Sequence, residues 1–160
     1  RMREKKTGIE VINASISGDT TSGGLSRLPA LLEKHKPAYV IIELGGNDGL
    51  RGITPTETQS NLEKIIDLAR EKYPDIQIIL AGMQMPQNMG VEYTEKFRKV
   101  FPKIAEEKKT RLIPFLLENV GGKAELNQPD RIHPNPPGHK IVADNVWEVL
   151  EPLLPARSDG

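Results

Sequence analysis

No cysteine occurs among the 160 residues, which removes disulfides, thiolate metal sites and cysteine nucleophiles together and leaves the compartment open. Neither sign of charge is in excess: Lys+Arg and Asp+Glu both total 22, so the overall charge recommends neither nucleic acid nor an anionic membrane as a partner. No apolar run reaches the roughly eighteen residues that a membrane-spanning helix needs, so no integral membrane segment is expected. Internal repeats and low-complexity linkers are also missing. No signal peptide is visible, but the first residues do not look like a natural start, so that absence carries no weight. A chain of this length is expected to bury a real core as one domain, residues 1–154, with a frayed polar tail at 155–160.

The opening residues Arg1, Arg3, Lys5 and Lys6 are followed by Gly8. Cations suit the C-terminal helix dipole and glycine accepts the left-handed cap, so this reads as the tail of a helix that begins upstream. Residues 9–14 then read as a short strand, and Leu25, Leu28, Leu31 and Leu32 give the helical period over 25–35. The nearly continuous apolar run 39–44 is expected to be a strand covered on both faces. Thr54-Pro55 opens the next helix, with Leu62, Ile65, Ile66 and Ala69 as its buried stripe. A strand at 76–81, a helix at 92–109, a short strand at 111–114 and a final helix at 136–154 complete the pattern. Alternation of strand and helix predicts an α/β fold, a parallel sheet with helices on both faces. In such folds ligands gather beyond the carboxyl ends of the strands.

Three loops fall on that rim. Asp130 and His133 lie three apart in a proline-bounded loop, Pro129-Asp130-Arg131-Ile132-His133-Pro134, just before a helix opened by Pro136-Pro137. An ordinary surface pair would share that spacing, but the prolines hold this one in irregular backbone where side chains can point into a cleft. Asn47 sits in Gly45-Gly46-Asn47-Asp48-Gly49, whose glycines are also well explained by a turn. Gly18 follows the segment 9–16, where Ser15, Ser17 and Asp19 are equally suited to capping the next helix. Together an Asp–His pair and two donors at strand ends make most of a serine-hydrolase site: base, orienting acid and oxyanion hole. A nucleophile is lacking, since Thr20, Ser15 and Ser17 are weak candidates. Asp130, His133 and His139 also suggest a two-histidine, one-carboxylate metal site, although their spacing spans a loop and two prolines. Met83, Met85 and Met89 cluster in the loop 82–90 and read as core filler or as a pliable apolar binding surface, the second being favoured on this rim.

Taken together, NASISGDT at 13–20, ELGGNDGLRG at 43–52 and DRIH at 130–133 resemble the SGNH, or GDSL, hydrolases. The nearest resemblance is to the bacterial thioesterase I, arylesterase and lysophospholipase subgroup. It implies a flavodoxin-like three-layer α/β/α sandwich and hydrolysis of small-molecule acyl esters or thioesters without a metal or other cofactor, in the periplasm or outside the cell. Carried over by position, Gly18 and Asn47 resemble the family's oxyanion donors, His133 its general base and Asp130 the acid that orients it. Met85-Pro86 occupies the place of the substrate-contacting switch loop. The family's Gly-Asp-Ser block, which supplies the nucleophile, does not occur in this chain. Its first strand, interior to the sheet, is expected in an upstream segment of the same protein, which would otherwise leave an unfilled slot between residues 9–14 and 39–44. Two rival readings stand beside the serine esterase: an inactive binding scaffold of the same fold, and a metal-dependent hydrolase.

Overall fold

The computed structural model describes residues 8–155. The helix tail expected before Gly8 and the frayed tail expected beyond residue 155 lie outside the described residues. Gly8 itself has φ +71°, the left-handed conformation expected of a cap glycine. The chain divides into two compact units, Ala14–Phe115 and a second comprising Arg1–Asn13 with Leu116–Gly160.

The larger unit carries three parallel strands, β1 (Tyr39–Ile42), β2 (Gln77–Ala81) and β3 (Arg111–Ile113), in the order β1-β2-β3. Val40 pairs with Ile78, and Leu80 with Leu112. Helices connect them: α1 (Thr21–His35) leads to β1, a one-turn α2 (Gly46–Leu50) and α3 (Pro55–Lys72) lead to β2, and α4 (Val91–Lys108) leads to β3. Parallel neighbours require such crossovers, so the expected α/β alternation is realised.

Cap chemistry sets the helix starts. Thr54 accepts the Glu57 N–H at 3.2 Å, and Pro55 occupies the first position of α3, where its missing N–H costs nothing. Thr20 likewise accepts the Gly23 N–H at 3.2 Å, so α1 begins four residues before the expected Leu25. The reason is packing by small residues. A Cβ on Gly23 would overlap the Asp19 carboxylate, and one on Gly24 would overlap Leu44. An apolar period cannot register a helix turn that is buried through a threonine and a glycine, Thr21 and Gly24.

Leu62, Ile66, Ile79, Leu80, Phe97, Phe101 and Ile104 are fully buried. β2 is covered throughout except at Gln77. Full coverage was expected of the 39–44 run, yet β1 is only partly covered and Ile41 is 40% exposed. The cause is position in the sheet: β2 has a neighbour on each side, whereas β1 flanks it. The segment 9–14 forms no strand, because no described strand supplies it with a ladder, and apolar composition alone cannot fix an extended segment. Val11 and Ile12 are exposed, and residues 9–14 supply no sheet edge to an unfilled slot.

In the second unit, α5 (Pro136–Leu150) is capped by Asn135, which accepts the Gly138 N–H at 3.1 Å. Gly138 lies so close to the Leu126 carbonyl that a Cβ would overlap it. Asn145 Nδ2 donates to the Leu116 and Glu118 carbonyls, each at 3.0 Å, tying the helix to the segment before it. The helix was expected to reach residue 154. It stops at Leu150 and tightens into a 3₁₀ turn, Glu151–Leu153, at Pro152, which has no N–H to continue the ladder.

Candidate active site

The Asp130–His133 loop is tightly tied. Arg131 takes φ +57°, its N–H donates to Gln128 O at 2.8 Å, and Gln128 N–H donates to His133 O at 2.7 Å. Asp130 Oδ1 accepts the backbone N–H groups of Ile132 (2.9 Å) and His133 (3.0 Å). Its other oxygen, Oδ2, lies 2.6 Å from His133 Nδ1. A carboxylate only accepts, so Nδ1 carries the proton, and in the neutral imidazole Nε2 then has the lone pair, the tautomer a general base needs. Both side chains remain well exposed.

These bonds hold the Asp130 carboxyl at about 2, below its usual 3.8, chiefly through the His133 side-chain hydrogen bond and then the two backbone N–H groups. Because the folded value is the lower one, the associated stability is complete above the usual carboxylate range and is lost as pH falls through about 2. A carbon-detected NMR titration of Asp130 should therefore give a midpoint near 2 that rises toward 3.8 in His133→Ala. A midpoint near 3.8 in the unaltered chain would show that the pair is not bonded in solution.

The other two candidates meet in the larger unit. Gly18 has φ +79°, and the turn it forms places the Asp19 carbonyl 2.9 Å from Asn47 Nδ2, which donates to it. Arg51 Nη2 donates to the Gly18 carbonyl at 2.8 Å. An amide nitrogen has two hydrogens, so one Asn47 N–H is spent on Asp19 and the other is left for a ligand. The glycine-rich stretch, whose glycines a turn would also explain, is the one-turn helix α2, with Gly49 N–H bonded to Gly45 O at 2.9 Å.

The profile of the GDSL-like lipase/acylhydrolase family matches residues 1–141. The chain belongs to this family. Esterase TesA of Pseudomonas aeruginosa is 47% identical over 154 residues, spanning 96% of this chain and 76% of that protein. Thioesterase 1/protease 1/lysophospholipase L1 of Escherichia coli is 44% identical over 144 residues, spanning 90% of this chain and 68% of that protein. A crystal structure of TesA matches with a TM-score of 0.88 at 48% identity, over 95% of this chain and 84% of that one. The chain is thus of the SGNH hydrolase type, with the parallel α/β fold of its relatives.

The remaining candidates divide. Thr20 is the N-cap of α1, its oxygen already accepting an N–H, while Ser15 and Ser17 lie exposed in the preceding loop. Among the described residues no three His, Asp or Glu side chains are grouped to hold a metal, so Asp130, His133 and His139 do not form such a set. His139 lies exposed on the first turn of α5. Met83 and Met85 are half-buried against the core, and Met85 fills the space that a Cβ on Gly49 would need. Pro86 is exposed.

Sequence reasoning missed the residues that hold the Gly18 and Asn47 loops in place. Asp19 is bound by Arg27, whose Nη2 lies 2.6 Å from Oδ2 and whose Nη1 donates to Ala14 O at 2.9 Å. Tyr93 Oη donates to Ile53 O at 2.7 Å, just after α2. Its phenol is shifted upward by burial and by the Asp48 charge, so it remains a donor. Asp48 was read only as a turn residue, yet it is buried. Its partners lie 27 and 10 residues away, and no local signal reveals them.

Proposed function

We propose that the protein is a serine carboxylic-ester hydrolase of the thioesterase, arylesterase and lysophospholipase type, its serine carried by a segment upstream of residue 1. The observation that supports this reading is the 2.6 Å Asp130–His133 hydrogen bond, which engages Nδ1 and turns Nε2 away from the carboxylate. The serine Oγ attacks the acyl carbonyl while Nε2 takes its proton. Asp130 holds the imidazole in that tautomer and stabilises the imidazolium that forms. The negative charge on the carbonyl oxygen is met by the Gly18 N–H and the second Asn47 amide hydrogen. Collapse expels the alcohol or thiol, which receives the proton from His133, and water repeats the cycle on the acyl-enzyme. Met85 and Pro86 take the role of substrate contacts.

Removing one oxyanion donor typically costs a hundredfold or more. Asn47→Ala in the serine-bearing protein should lower kcat for a p-nitrophenyl acyl ester by about 100-fold with KM nearly unchanged. Equal kcat in the two proteins would remove Asn47 from the oxyanion hole.

A further inference from the structure

Asp48 is 1% exposed, and its hydrogen-bond partners are all neutral. The Thr21 N–H donates to Oδ1 at 2.8 Å, while the hydroxyls of Thr21 (2.5 Å) and Thr58 (3.1 Å) donate to Oδ2. The direction is fixed from outside, since Asn61 Nδ2 donates to Thr21 Oγ1 at 3.1 Å and turns that hydroxyl's hydrogen toward Asp48. A buried carboxylate is tolerated only where its lone pairs are met, and removing a partner is costly. Asp48 therefore fastens α2 to the first residue of α1 and to α3.

This matters because α2, five residues long, is too short to hold its own shape. Asn47 is bound to Asp19 O by a single bond, about which the turn could swing. The adjacent Thr21–Asp48 bond is a second rung, so residues 47 and 48 grip residues 19 and 21 at 2.9 and 2.8 Å. Gly18 is the residue before Asp19. We infer that Asp48 is a positioning residue that sets the separation of the Gly18 N–H and the Asn47 amide, the two oxyanion donors. The inference rests on the proposed function, which assigns those donors their role.

A double-mutant cycle on the serine-bearing protein tests it, with a p-nitrophenyl acyl ester as substrate. Asp48→Asn should lower kcat by about 10- to 100-fold at unchanged KM, because a displacement near 1 Å is worth that much. In the Asn47→Ala background the same change should lower kcat no further. Independent losses that multiply in the double variant, or an unaltered kcat in Asp48→Asn, overturn the inference and leave the oxyanion role of Asn47 intact. If instead Asn47→Ala has no effect, the oxyanion reading itself fails. Thr58→Val, which removes one donor only, serves if Asp48→Asn does not fold. It should lower kcat several-fold, again only when Asn47 is present, and an unchanged kcat overturns the inference. NMR of the serine-bearing protein gives a readout free of catalysis. The Asn47 side-chain amide signals should move in Asp48→Asn, and unmoved signals overturn the inference.

Discussion

Replacing His133 by alanine in the serine-bearing protein should lower kcat by about 10⁶-fold, and Asp130→Asn by about 10⁴-fold. The two effects differ because the two residues do different work. Without His133 nothing accepts the serine proton, and only oxyanion stabilisation and binding remain. Without the Asp130 charge the imidazole is still present but in the wrong tautomer, since an asparagine amide can donate to Nδ1 and move the proton to Nε2. The loop itself should survive that exchange: an asparagine Oδ1 can still accept the Ile132 and His133 N–H groups, which Asp130 Oδ1 accepts at 2.9 and 3.0 Å. Circular dichroism and thermal unfolding should therefore be close to those of the unaltered protein while kcat falls. KM should change little in either variant. Retention of kcat within tenfold by both would end the acid–base assignment.

The parts of this molecule legible in the sequence are those fixed by short-range chemistry. The Thr54-Pro55 helix start was readable because the cap and its acceptor lie three residues apart. The Asp130–His133 bond was readable for the same reason, reinforced by bordering prolines that exclude a helix. The start of α1 was not, because its first turn is buried through Thr21 and Gly24, which leave no apolar mark. The strand expected at 9–14 failed because strand formation is decided by a neighbour, and composition cannot supply one. The Gly18 and Asn47 loops do meet, 28 residues apart at the Asp19–Asn47 bond, but the rule that parallel strands end on one rim applies to Asn47 alone, since only β1 precedes a candidate donor. The buried Asp48 network followed from nothing local, since its meaning lies in Thr21 and Thr58, on two other helices.

The 160-residue chain by itself should give no esterase turnover, although the residues proposed as base, orienting acid and oxyanion donors are all in it. On the proposed mechanism the nucleophile is a serine in a Gly-Asp-Ser block, and that tripeptide does not occur in the sequence. Thr20 follows Gly18 by two residues, but its oxygen is engaged with the Gly23 N–H, and as the cap it anchors α1. Release of p-nitrophenol from an acyl ester by the isolated chain, its mass checked for extra residues, should match the buffer rate to within the small residue that binding and oxyanion contacts give. Joining an upstream segment that carries the Gly-Asp-Ser block should raise turnover by several orders of magnitude, and changing that serine to alanine should remove the gain. Turnover by the isolated chain that disappears in Thr20→Ala would instead make Thr20 the nucleophile. Turnover that survives Thr20→Ala but falls with Ser15→Ala or Ser17→Ala would move the attack into the preceding loop. A joined protein that folds, binds an acyl ester and still does not turn it over would establish the binding scaffold, because base, acid, donors and serine would then all be present without catalysis.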